Sequence, residues 1–124
     1  MQTLQQQRAA YALKRVKAFK EEAHSQKEWT EYKSYASALP AMIHMNGLGQ
    51  AAAFFKSKGG MHQVLYQLLS DWLCENNKPF RLYDDLLTGI TQEDMQTYRL
   101  AQAEAQALMD WVKKFAKAYL REEV

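Results

Sequence analysis

Apolar residues recur every three or four positions along most of the chain, a spacing typical of amphipathic helices. The first stripe predicts a helix over residues 3–23, and a second begins near Glu28 and runs to Asn46. Two further stripes predict helices over residues 48–57 and 61–76. No segment shows the period-two alternation of a strand. The pattern therefore predicts an all-α protein.

Proline and glycine mark where these helices bend or end. Pro40 lies inside the second stripe, where the missing N–H and the bulk of its ring predict a kink or a break. Asn46-Gly47 follows that stripe and suits a left-handed helix cap. Gly59-Gly60 and residues 76–79 mark later breaks. Residues 80–90 are ambiguous, although their leucines could form one short helical turn: Leu82, Leu86 and Leu87.

The last predicted helix carries the clearest signals. Thr91 is a good N-cap, and Glu93 and Asp94 then place negative charge in the first turn, where the helix dipole favours it. Apolar residues follow at alternating spacings of three and four and predict a continuous packing seam: Tyr98, Ala101, Ala105, Leu108, Val112, Phe115 and Tyr119. We expect one domain over residues 1–124, a bundle of five to six helices with a Pro-interrupted second helix and a long C-terminal helix.

Composition is consistent with this fold and indicates a compartment. A chain of 124 residues fits one domain, and 5 Gly and 2 Pro offer little punctuation for a sheet. Cys74 is the single cysteine and cannot form an internal disulfide, which fits a reducing environment. Neither an apolar run long enough to span a bilayer nor a signal-peptide core is present. These features predict a cytoplasmic protein.

Charge is distributed unevenly. Residues 1–20 carry five bases and no acid, whereas residues 75–110 carry seven acids and three bases. Residues 111–121 carry four bases and no acid: Lys113, Lys114, Lys117 and Arg121. These segments are either separate binding surfaces for separate partners or the solvated faces of amphipathic helices.

The sequence offers little for catalysis, metal binding or a cofactor. His24, His44 and His62 lie far apart without the close spacing of metal ligands. Cys74 follows apolar residues, as a buried structural thiol does. Asp84 and Asp85 are adjacent and face solvent more readily than one shared site. We therefore predict no catalytic residues, no metal and no cofactor, so that the chain is not an enzyme.

Aromatic residues raise a different possibility, because exposed rings beside cations can stack on unpaired RNA bases. Tyr11 lies among Arg8, Lys14 and Arg15 and is the best candidate. Helical spacing favours burial in the core for most of the other aromatic residues.

Residues 32–58 carry a distinctive motif: a Tyr-containing helix, a Leu-Pro-x-Met-Ile step, an Asn-Gly-Leu-Gly-Gln turn and an Ala-x-Phe helix closed by lysine. This stretch resembles the signature of the small helical subunit of the type III-B CRISPR (Cmr) RNA-guided effector complex. Residues 69–73 also resemble the helix that follows the motif in that family. The structural motif positions are Pro40, Asn46, Gly47, Leu48 and Gly49.

The resemblance implies a non-catalytic role in antiviral defence. Such subunits stack in several copies along a ribonucleoprotein, close to the guide–target RNA duplex, while other subunits cut RNA. The implied partners are other Cmr-type subunits, copies of the chain itself, and guide and target RNA, with no membrane. The alternative is a helical adaptor that binds proteins and makes no direct RNA contact.

Basic side chains are the candidates for RNA contact, because they bind phosphates without reading sequence. The first set lies in the first predicted helix: Arg8, Lys14, Arg15, Lys17 and Lys20. Lys56 and Lys58, at the end of the motif, form a second set. The stripe Lys114, Lys117 and Arg121 forms a third.

Overall fold

The computed structural model describes residues 1–121, which form six helices and no strand. The helices are α1 (Leu4–Glu21), α2 (Gln26–Asn46), α3 (Leu48–Lys58), α4 (Gly60–Leu73), α5 (Leu86–Gln92) and α6 (Met95–Tyr119). The prediction of an all-α bundle of five to six helices with a long C-terminal helix is confirmed.

Side-chain caps fix the starts of α1 and α2. The Thr3 hydroxyl accepts from the Gln6 N–H at 3.1 Å, and the Gln6 side chain accepts from the Thr3 N–H at 2.8 Å. Ser25 and Glu28 make the same reciprocal pair at the start of α2. Each capping box satisfies two backbone N–H groups that have no partner within the helix.

The predicted cap of the last helix was wrong. Thr91 lies inside α5, and Asp94 caps α6 instead, with its carboxylate accepting from the Thr97 N–H at 2.9 Å. This bond lowers the pKa of Asp94. Both residues are good caps by type, and the choice between them depends on α5, which residues 80–90 did not clearly predict.

The leucines of that ambiguous stretch have different environments. Leu86 begins α5 and is buried, and Leu87 is half-buried. Leu82 lies in the preceding loop with 74% of its surface exposed, so the three do not share one helical turn. The loop itself folds back on α4, because the Phe80 N–H donates to the Leu73 carbonyl at 2.9 Å. The fourth helix consequently ends at Leu73 and not at Asn76.

Pro40 lies inside α2, which continues as a helix on both sides of it. The sequence left a kink or a break open, and the break does not occur. The ring of Pro40 is buried, and its carbonyl accepts from the Gln106 side chain of α6 at 3.0 Å.

Helix α6 is the centre of the bundle, with α1 and α2 packed along it and α4 beside them. Its buried stripe contains six apolar residues: Ala101, Ala105, Leu108, Met109, Val112 and Ala116. The outer members of the predicted seam, Tyr98, Phe115 and Tyr119, are half-buried at its rim. None of the helices within residues 1–121 combines the length and apolar character needed to cross a membrane.

Helices α1 and α6 run in the same direction. Arg8, in the second turn of α1, meets Glu104 of α6, and Lys17 and Lys20, near the end of α1, meet Tyr119 at the end of α6. The C-terminal ends of the two helices therefore lie side by side.

Candidate nucleic-acid interface

The motif turn between α2 and α3 is held by side chains of α6. The Leu48 N–H donates to Gln102 Oε1 at 2.8 Å, and the Gly49 N–H donates to Tyr98 Oη at 2.9 Å. The first N–H groups of a helix have no partner within it, so these two bonds cap α3 from residues about fifty positions away.

The two motif glycines permit this close approach. Gly47 has φ +88°, where a side chain is strained, and its N–H closes α2 by donating to the Ile43 carbonyl at 2.8 Å. A Cβ on Gly47 would lie 3.2 Å from Tyr98 Oη, and one on Gly49 would lie 3.4 Å from the same atom. With Pro40 bonded to Gln106, the motif attaches α2 and α3 to α6, while Asn46 is exposed as the last residue of α2.

Arg8 faces inward and binds a buried carboxylate. Its Nε and Nη2 atoms donate to the two oxygens of Glu104 at 2.7 and 2.9 Å, and Trp72 Nε1 donates to Glu104 Oε2 at 2.9 Å. Glu104 is only 8% exposed. The three residues belong to α1, α4 and α6, so one carboxylate joins three helices.

Burial by itself would raise the pKa of Glu104, because it disfavours the charged form. The hydrogen bonds from Arg8 and Trp72 and the positive charge of Arg8 outweigh that effect, so the pKa lies below its usual value. The same bond raises the pKa of Arg8. Both groups are therefore charged at neutral pH.

Glu104 is the residue that sequence reasoning missed. It lies at the edge of the apolar stripe of the last helix, about one turn after Ala101 and one turn before Leu108. An acid on an apolar stripe is a signal that a buried partner exists, although the stripe does not identify that partner.

Arg15 is also engaged within the fold. Its Nη1 atom donates to Asp71 Oδ2 at 2.9 Å and to Tyr11 Oη at 2.8 Å. This ion pair is more exposed than that of Arg8, with 30% and 43% of the two side chains accessible.

Tyr11, the candidate for base stacking, is engaged within the fold through both its hydroxyl and its ring. Its hydroxyl donates to the Leu68 carbonyl at 2.6 Å, and its ring packs on Trp72 with centroids 4.8 Å apart. Burial raises its pKa. Tyr11 thus joins α1 to α4.

The lysines of α1 differ from its two arginines in their exposure and in their ion pairs. Lys14, Lys17 and Lys20 are exposed on α1. The four ion pairs within residues 1–121 involve Arg8, Arg15 and His24, and none of them includes a lysine.

The end of the first basic set meets the last turn of α6. Lys17 Nζ lies 5.4 Å and Lys20 Nζ 6.0 Å from the ring centroid of Tyr119. Lys117 is also in the last turn of α6, but it is two residues from Tyr119 and so points to the other side of that helix. We call the surface that the α1 lysines form with the tyrosine ring the basic end: Lys17, Lys20 and Tyr119.

Lys56 and Lys58 lie on a separate surface at the end of α3. Lys56 Nζ is 5.1 Å from the Tyr66 ring, and Lys58 Nζ is 5.3 Å from the Phe54 ring. Both lysines are exposed.

The reactive side chains occupy structural positions. His62 stacks on Tyr35 with ring centroids 3.7 Å apart, and burial together with the Lys58 charge lowers its pKa. Burial raises the pKa of the Cys74 thiol, which disfavours the nucleophilic thiolate. Within residues 1–121, no three acidic, histidine or cysteine side chains converge as metal ligands do.

A bundle of six helices within residues 1–121, with the α1 lysines exposed and Arg8 and Arg15 paired to acids, defines a small helical protein. Residues 4–119 match the family described as "CRISPR-associated protein (Cas_Cmr5)". The chain belongs to this Cmr5 family.

A protein sequence and a crystal structure from Thermus thermophilus agree with this assignment. The chain is 30% identical over 93 residues to a protein named "CRISPR system Cmr subunit Cmr5", and the match covers 74% of this chain and 77% of the relative. It also matches the crystal structure of a CRISPR-associated Cmr5 family protein, with a TM-score of 0.77 and 26% identity over 95% of this chain and 98% of that one. The family resemblance seen in residues 32–58 is confirmed.

Glu104→Gln tests the buried carboxylate. We expect the free energy of unfolding at pH 7 to fall by about 3 kcal/mol, because Arg8 would lose its charged partner inside the protein. Asp71→Asn is the matched control: it breaks the exposed ion pair with Arg15 and should cost less than about 1 kcal/mol. Urea unfolding monitored by circular dichroism measures both.

The effect of Glu104→Gln should depend on pH. The folded-state pKa of Glu104 is lowered, so its stabilisation is present above the ordinary value of 4.5 and is lost as pH falls through the folded-state pKa. Glutamine does not ionise, so the stabilities of wild type and variant should converge progressively as pH falls below 4.5 and through the folded-state pKa. A difference that stays constant from pH 7 to pH 3 would contradict the ion-pair role.

Proposed function

We propose that this chain is a non-catalytic subunit of a cytoplasmic Cmr-type CRISPR ribonucleoprotein that acts in antiviral defence. It associates with other subunits and with copies of itself, and its lysines support binding of guide and target RNA. Membership of the Cmr5 family and the name of the Thermus relative, a Cmr subunit, support this proposal.

The RNA-binding role is inferred mainly from the lysines of the basic end. Lys17 and Lys20 lie together there beside Tyr119, and neither is in an ion pair within residues 1–121. Phosphate binding releases condensed counterions and needs cations that are not already neutralised. Lys17 and Lys20 meet this requirement, and Lys14 lies one turn before Lys17 on an exposed position.

The other basic candidates for RNA binding differ in the contacts that they make. Arg8 and Arg15 are bonded to Glu104 and Asp71, so we assign Arg8 to the fold and give Arg15 at most an auxiliary RNA role. Lys56 and Lys58 form a second, smaller basic surface that could follow the same RNA backbone.

Two exposed apolar surfaces support association between copies. Met42, Asn46, Gln50 and Phe54 line a groove between α2 and α3, and Met45 beside it is 79% exposed. Leu4, Pro79 and Leu100 are the apolar residues of a second hollow, whose other lining residues are polar or charged, and Leu100 is 58% exposed. A head-to-tail contact joins two different surfaces of the same chain, and this chain offers two.

Purification of the tagged chain from its native source tests the function directly. We expect it to be recovered with a guide RNA and several larger proteins, because a filament subunit is held by its neighbours. Recovery only as a free monomer would rule the proposal out. Recovery of the proteins with no RNA crosslink to any basic residue would favour the protein-only adaptor.

Lys17→Gln/Lys20→Gln tests the basic end. Two fewer phosphate contacts should weaken binding of RNA and reduce the slope of log K against log salt by roughly 1.4 for a single strand. Lys27→Gln/Lys33→Gln, which removes two charges from α2, is the matched control and should leave the slope unchanged. Filter binding across a salt titration measures both, and equal slopes for the two variants would exclude this surface.

Met45→Glu and Leu100→Glu test the head-to-tail contact. Each variant alone should lose concentration-dependent self-association in sedimentation velocity, because a charge is placed in one of the two apolar surfaces. A mixture of the two variants should form a dimer, since each keeps the surface that the other lacks.

Met95→Glu is the control for this pair, because Met95 is 66% exposed but lines neither surface. It should associate as the wild type does. A mixture that remains monomeric while the wild type associates would show that these two surfaces do not meet.

A further inference from the structure

Three aromatic rings form a ladder along one side of α6. Trp111, Phe115 and Tyr119 are spaced four residues apart, with centroid separations of 5.6 Å and then 6.3 Å. Residues four apart on a helix lie one above the other, so the rings follow the helix axis. All three are half-buried at the edge of the core and are not enclosed in it.

The ladder borders the groove between α1 and α6. Gln5 of α1 approaches Trp111 at one end, where Trp111 Nε1 lies 3.4 Å from Gln5 Oε1. Lys17 and Lys20 of α1 cover Tyr119 at the other end. The groove therefore has a row of rings on one helix and lysines over the ring at its Tyr119 end.

Cations lie at both ends of this groove. Lys114 lines the hollow at the Trp111 end together with Gln5 and Asp110. Asp110 is the one acid among the residues that line that hollow. The basic end, with Lys17 and Lys20, lies at the Tyr119 end.

We propose that this groove binds single-stranded RNA, with unpaired bases stacking on the ladder and phosphates bound by the flanking lysines. The inference rests on the proposed RNA-binding function and names the form of RNA. Rows of aromatic rings beside cations bind single strands, because every base has a face that can stack. A duplex keeps its bases paired and offers this groove only phosphates.

The lysines over Tyr119 do not obstruct this binding. An exposed contact between an ammonium group and a ring is weaker than the stacking of a base on the same ring. Lysine side chains are flexible, so Lys17 and Lys20 can move from the ring to the phosphates of the strand that displaces them. The contact keeps the cations near the ring before RNA binds.

Tyr119→Leu in the full-length chain tests the ladder. We expect its affinity for a labelled ten-nucleotide oligo(A) to fall about tenfold, and its affinity for a blunt RNA duplex to stay within about twofold of the wild type. Tyr119→Phe keeps the ring and should bind the single strand as the wild type does. Tyr83→Leu removes a half-buried tyrosine elsewhere and should leave both affinities unchanged.

Photocrosslinking gives a readout independent of affinity. A single strand containing 4-thiouridine should crosslink to the tryptic peptide of residues 118–121, whose one aromatic residue is Tyr119. Thermal unfolding of each variant verifies that the fold is retained.

Three results would contradict the inference, and the measurements distinguish them from one another. Unchanged single-strand binding by Tyr119→Leu, or equal loss of single-strand and duplex binding, would overturn the inference. Loss of partner proteins with normal single-strand binding would also overturn it and assign the groove to a protein contact. In each case, co-purification of the wild type with guide RNA would leave the proposed function standing.

Discussion

The carboxylate of Glu104 determines how the bundle is assembled. It accepts two bonds from Arg8 and one from Trp72, and these residues come from three different helices. A buried ion pair adds little net stability, because removing two charges from water costs about as much as their attraction returns. An unpaired carboxylate in the same place is strongly unfavourable, so packings that separate Glu104 from Arg8 are disfavoured. The pair thereby favours α1 lying parallel to α6 with their C-terminal ends together.

Helix α6 has a second set of polar contacts on another side. Tyr98, Gln102 and Gln106 hold the start of α3 and the middle of α2. The motif in residues 32–58 therefore forms one side of the interface with α6. Its glycines leave room for the α6 side chains. The Arg8 contact and the motif contacts together place α6 between α1 and α2.

The basic residues of α1 divide between fold and surface by type. Arginine has a planar, forked guanidinium that matches both oxygens of a carboxylate, whereas the lysine ammonium is more strongly hydrated. Arg8 and Arg15 accordingly bond to Glu104 and Asp71, and Lys14, Lys17 and Lys20 stay in solvent. The net charge of the chain hides this division, because it counts bound and available cations alike.

The local sequence pattern determined where the helices form, because amphipathic spacing and helix caps depend on residues only a few positions apart. It also located the turn at Asn46-Gly47, where a glycine with positive φ ends α2. It wrongly favoured Thr91 over Asp94 as the last cap, because both residues suit that role by type. The partner of Glu104, the parallel direction of α1 and α6, and the meeting of Lys17 with Tyr119 depend on contacts between residues about a hundred positions apart. Only the tertiary structure decided these, because a periodic stripe indicates which side of a helix is buried and contains no information about which helix covers it.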